Sequence, residues 1–169
     1  ASIADVYVDN AFGTAHRDNA SMYTVPVMME GKPRVIGYLI EQELKFLGDT
    51  VANPEKPFVA LLGGAKVSDK LGVIENLLEK VDSLLIGGAM AYTFLKAKGQ
   101  NIGDSLCEDD FINKASELMD RAANQGKEIL LPVDNLVVQK IEEGAESKTV
   151  EGNIEPGWQG VDIGPKNRN

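Results

Sequence analysis

Leu61-Leu62-Gly63-Gly64-Ala65-Lys66-Val67-Ser68-Asp69-Lys70 is the stretch that decides the fold. An apolar run over residues 58–62 empties into two glycines and a small residue, which lets backbone N–H groups approach a ligand closely. Leu71, Ile74, Leu77 and Leu78 then stripe one face of a helix. Ser68 suits its N-cap, and Lys70 falls in its first turn, where the helix dipole is already positive. With Lys66 just upstream, two ammonium groups and a helix start gather on one spot, and a phosphate would relieve their repulsion. The Walker A spacing G-x-x-x-x-G-K-[ST] is absent. Spacing alone suits two solvated lysines on a surface turn equally well.

One β-α unit later the geometry repeats, as the apolar run 84–86 ends in Gly87-Gly88. Two parallel strands that both end in glycine leave a crevice at the carboxyl edge of a sheet, where open α/β folds bind ligands. A pair of tight turns needing glycine for packing would leave the same trace. Helical patterns over 92–98 and 110–124 precede a third apolar run at 129–133, and a fourth strand is expected at 160–163. This alternation predicts an α/β fold, three layers αβα, with a mostly parallel Rossmann-like sheet. Right-handed crossovers should place 58–62, 84–86 and 129–133 side by side, with both glycine pairs at one edge.

Upstream, a strand at 6–8 leads into a loop with Gly13 and the chain's single histidine, His16, beside Arg17. That pair could clamp a carboxylate or phosphate, Arg17 through its planar fork; an incidental surface histidine is the commoner case. Asp9 and Asn10 read as makers of turn hydrogen bonds. Ile36, Leu39, Ile40, Leu44 and Leu47 stripe a helix over 33–46, with Pro33 in its first turn and Gly48 at its end. The polar stretch 49–57 carries two prolines and no periodicity, so it reads as a linker between 1–48 and 58–169.

The 169 residues are 43% hydrophobic and 25% charged, which excludes wholesale disorder. A net charge of −9 argues against nucleic acid as a partner, so a phosphate ligand must meet a local cluster of cations. No apolar run approaches the roughly 20 residues of a membrane helix. The lone Cys107 excludes an internal disulfide framework and a cysteine-rich zinc site. Followed by Glu108, Asp109 and Asp110, its thiol should have a raised pKa. A cytoplasmic location is the expectation. The chain starts Ala-Ser-Ile and stops just past a strand-like run, which reads as a segment of a longer protein.

Together these strings resemble the phosphoglycerate kinase family. Residues 9–17 are similar to its loop ending G-T-A-H-R, and Gly37-Tyr38-Leu39-Ile40-Glu41 to the start of the helix joining its two domains. Residues 63–70 match G-G-A-K-V-S-D-K, residues 86–96 match I-G-G-x-M-A-Y-T-F-L-K, and residues 162–166 match D-I-G-P-K, in family order throughout. Asp9-Asn10 inverts the usual order, Arg17-Asp18-Asn19 lacks the usual Ala-His, and Asn167 stands for a usual Thr.

The resemblance implies a partial kinase fold and a parent enzyme, a monomer, that passes a phosphoryl group between 1,3-bisphosphoglycerate and ADP, giving 3-phosphoglycerate and ATP. It implies Mg2+ arriving with the nucleotide rather than on a dedicated protein site. Arg17, with His16, would hold phosphoglycerate; Lys70 would hold nucleotide phosphate, and Lys66 would stabilise the phosphoryl group in flight. Gly64, Ala65, Gly87, Gly88 and Gly164 would line the nucleotide cleft. The isolated segment should be inactive. The alternative is a non-catalytic nucleotide- or phosphate-binding module derived from the fold.

Overall fold

Tyr7–Asp9 (β1) runs parallel to Arg34–Ile36 (β2), with Val8 opposite Val35. The computed structural model describes residues 2–168, apart from the side chains of Asp49 and Arg168, and the chain divides into two compact units, Ala1–Glu55 and Lys56–Asn169. In the first unit, a π-type turn over Ala20–Thr24 leads into a short helix, Val25–Met28 (α1). The helix expected from residue 33 begins later, because Val35 and Ile36 are β-branched and pair with β1. Gly37 is extended (φ −87°, ψ 171°), and Tyr38–Glu43 (α2) starts after it. The Asn10 side chain caps that start, its Oδ1 accepting from the N–H groups of Leu39 at 2.9 Å and Ile40 at 3.4 Å. Helical backbone continues through Leu44–Asp49 to Thr50–Ala52 (α3), so Gly48 lies inside it rather than at its end.

In the second unit, Val59–Leu62 (β3), Ser83–Ile86 (β4) and Glu128–Leu130 (β5) form a parallel sheet in the order β3-β4-β5. Leu71–Leu78 (α4), Met90–Ala97 (α5) and Ile112–Asn124 (α6) pack against it. Leu84, Ile86 and Ile129 turn inward to meet Ile74, Leu78, Phe94 and Leu118, all buried. Side chains alternate across a strand, so Val59, Leu61 and Leu130 point the other way and stand exposed. Residues Met90 to Leu95 are all buried, because α5 also serves a second core with Ile102, Val137 and Ile154.

The strand expected at 160–163 forms as Gln159–Ile163 (β8), but in a different sheet. It pairs antiparallel with Asp134–Val138 (β6), whose other edge pairs antiparallel with Ser147–Glu151 (β7). The apolar run 129–133 stops being a strand at Leu130, since Pro132 has no N–H to give a ladder and the N–H of Val133 goes to Asn167 Oδ1 at 2.8 Å. No described helix is long and apolar enough to cross a membrane.

Candidate functional site

Leu62 pairs with Ile86 in register, so the two glycine pairs leave the sheet at the same edge, as the sequence predicts. The N–H of Gly87 donates to Leu62 O at 2.8 Å, and that of Met90 donates to Gly64 O at 2.9 Å. The junctions touch directly. A Cβ at Gly88 would lie 2.9 Å from both the nitrogen and the oxygen of Gly64, and Gly88 holds φ +68°, a region that side chains disfavour. Gly63, Gly64, Ala65 and Gly88 are exposed, leaving bare backbone along this edge. An open apolar groove lined by Leu85, Gly87, Leu130, Pro132 and Lys166 borders it.

Val67 is fully buried and anchors the turn that follows β3. Ser68 does not cap α4. The turn's Lys70 N–H donates to Val67 O at 2.9 Å, and Lys70 itself occupies the N-cap position, just before the first helical residue rather than in the first turn. Ser68 is engaged elsewhere: its N–H donates to Glu108 Oε2 at 3.1 Å and its hydroxyl to Oε1 at 2.7 Å. Lys66 is exposed and Lys70 half-buried, and neither ammonium makes a hydrogen bond or ion pair among the described residues. Partial burial pushes the Glu108 carboxyl upward. The Ser68 hydroxyl and N–H, the Val67 N–H and the Lys66 charge outweigh it, leaving Glu108 below the usual carboxylate range.

Gly164 is buried against a different anion. A Cβ there would run into the Asp134 carboxylate, and the Gly164 N–H donates to Asp134 O at 2.8 Å. Asp134 is 1% exposed; its Oδ2 accepts from the Lys166 N–H at 3.1 Å, and Oδ1 accepts from the Asn167 side-chain amide. Asn167 is therefore a structural tie for the turn carrying Lys166. His16 and Arg17 belong to the first unit and are exposed; the loop closes on itself through the Arg17 N–H to Thr14 O at 2.9 Å. Asp9 and Asn10 do make turn and cap hydrogen bonds. The Cys107 thiol is raised as expected, chiefly by partial burial and then by Asp109. Among the described residues no three His, Cys, Asp or Glu side chains gather to hold a metal ion.

Two site residues escaped the sequence reading. Glu108 looked like part of an acidic run, and nothing local connects it to Ser68, 40 positions away. Asp134 has no apolar pattern to mark it as buried, although Pro132 before it and Leu136-Val137-Val138 after it signal a turn into a strand.

A family model for phosphoglycerate kinase matches residues 1–169. The phosphoglycerate kinase of Limosilactobacillus reuteri is 55% identical over 166 residues, covering 98% of this chain and 40% of that protein. The Clostridium perfringens enzyme is also 55% identical over 166 residues, covering 98% and 41%. Among solved structures, phosphoglycerate kinase from Coxiella burnetii superposes with TM-score 0.79 at 39% identity, over 96% of this chain and 42% of that one. The Pyrococcus horikoshii kinase gives 0.78 at 30% identity, over 98% and 42%. The chain thus spans about two fifths of the length of the relatives it matches. Sequence similarity across nearly its whole length, superposition at the fold level and the paired strand–glycine junctions agree: the chain belongs to the phosphoglycerate kinase family.

Proposed function

We propose that this chain is a segment of a cytoplasmic, monomeric glycolytic enzyme that transfers a phosphoryl group between 1,3-bisphosphoglycerate and ADP, yielding 3-phosphoglycerate and ATP. The observation that carries this reading is the contact of Gly64 with Gly88, which leaves bare backbone beside two unpaired lysines on the next turn. Gly64, Ala65, Gly87 and Gly88 line the nucleotide cleft, and Gly164, buried against Asp134, holds the turn that carries Lys166. Lys70 holds a nucleotide phosphate in the ground state. Lys66 meets the charge that grows on the equatorial oxygens during transfer, which fixed cations stabilise without reorganising. Arg17, with His16, grips phosphoglycerate through the guanidinium fork. Mg2+ enters as part of the nucleotide substrate.

The transfer requires two bound substrates in line and shielded from water, and 169 residues supply only part of that enclosure. A coupled assay tests the reading. The complete enzyme carrying this segment should turn over ADP and 1,3-bisphosphoglycerate, while the 169-residue chain should not. A complete enzyme without that activity overturns the proposal, and ordinary kinase rates from the isolated chain overturn the claim that it is catalytically incomplete.

A further inference from the structure

We infer that Glu108 is a positioning residue: by accepting hydrogen bonds from both the N–H and the hydroxyl of Ser68, it fixes the turn that aims Lys66 and Lys70. The inference rests on the phosphoryl-transfer reading of that turn. Ser68 sits midway between the two lysines, and both carboxylate oxygens of Glu108 are committed to it, at 3.1 Å and 2.7 Å. Glu108 is itself held, its own N–H donating to Thr93 Oγ1 at 3.1 Å. Thr93 is 1% exposed on α5, the helix whose leading Met90 N–H binds Gly64 O. One residue, through its carboxylate on one side and its main-chain N–H on the other, therefore ties the turn after the first glycine pair to the helix after the second.

The turn needs such a tie. Its preceding residues are two glycines and an alanine, and Val67 is its single fully buried side chain. Two unpaired ammonium groups on a loosely held loop would swing apart before a ligand arrives. The Glu108 carboxylate offsets that repulsion, since Lys66 lies close enough to feel its charge and help keep it ionised. With both oxygens occupied by Ser68, Glu108 acts through the loop and not on the substrate.

Steady-state kinetics of the complete enzyme test this, with melting temperatures confirming that each variant is folded at the assay temperature. Glu108→Ala removes clamp and charge and should lower kcat about 10²-fold, the scale of a displaced catalytic group, with a smaller change in nucleotide KM. Glu108→Gln keeps the shape and should cost about tenfold. Glu108→Ala added to Lys66→Ala should cost little beyond Lys66→Ala alone, because the clamp works through that lysine. If Glu108→Ala does not fold, Ser68→Ala and Glu108→Gln combined with Lys66→Ala carry the same comparison. Near-wild-type kcat in the Glu108 variants, or losses that multiply fully with Lys66→Ala, overturns the inference. Should Lys66→Ala and Lys70→Ala both leave the kinetics intact, the underlying reading fails instead.

Discussion

Gly88 packs its Cα against the main chain of Gly64, so closely that a methyl group at position 88 would lie 2.9 Å from both the amide nitrogen and the carbonyl oxygen. Backbone on backbone leaves no flexible side chain to yield. Gly88→Ala must either push the two junctions apart or strain a residue already at φ +68°. The left-handed region alone costs alanine about 1–2 kcal/mol. The variant should melt at least about 2–4 °C lower, and phosphate binding at this edge should weaken with it. A thermal melt with an unchanged midpoint would show that the approach is looser than described.

Asn167 should matter more than its place near the chain end suggests. Its amide donates to Asp134 O at 2.8 Å and Gly164 O at 3.2 Å as well as to the Asp134 carboxylate, and its Oδ1 accepts from Val133. Asn167→Ala should cost about 1–3 kcal/mol in urea unfolding, because it strands buried partners. Asn167→Asp should be worse than alanine at neutral pH, since it sets a second carboxylate against buried Asp134, and should recover on mild acidification. Equal stability of both variants at neutral pH would contradict this.

Stability should fall at both ends of the pH range. The Lys56 ammonium, then the Phe58 N–H, hold Asp82 below its ordinary value. Lys96 does the same for Asp109, as Arg121 does for Glu79. Carboxylates depressed in the fold add stability above their unfolded pKa of about 4, and that stability is lost as pH falls through the lower folded values. Burial, with a smaller push from Asp162, raises Tyr92 to about 12. Its contribution is intact below the unfolded value near 10 and is lost as pH rises through the folded one. Melting midpoints should be flat between, fall below about pH 4, and fall again above about pH 10. Lys96 and Lys114, held above their ordinary values by Asp109 and Glu75, add to the same limb, so a Tyr92→Phe variant should weaken it without abolishing it; an unchanged limb would leave its cause to the lysines.

Strands β3, β4 and β5 were legible because they are continuous apolar runs, apolar even on the face that Val59, Leu61 and Leu130 leave exposed, and β3 and β4 stop at glycine. Strand β8 was legible as a strand but not in its partner, since pairing depends on β6 and β7. Those two begin with Asp134-Asn135 and Ser147-Lys148, whose polarity hides them. Ile36 fitted the head of a helical stripe, and only long-range pairing with β1 puts Val35 and Ile36 in a strand instead. At the site, the glycines and lysines stood out because their local order is unusual. Glu108 and Asp134 did not, because their partners lie 40 and about 30 residues away and no local pattern encodes such a clamp.

Most directly at stake is whether Lys66 and Lys70 converge on a phosphate, and steady-state kinetics of Lys66→Ala and Lys70→Ala in the complete enzyme decide it. Lys70→Ala should raise the nucleotide KM, because it removes ground-state binding. Lys66→Ala should lower kcat by about 10²–10³-fold with a much smaller change in KM, because it removes a contact realised in the transition state. Neither should lower the melting temperature appreciably, since both ammonium groups are unpaired among the described residues. Near-wild-type kcat and KM in both variants would mean that the two are solvated surface lysines, and would contradict the account.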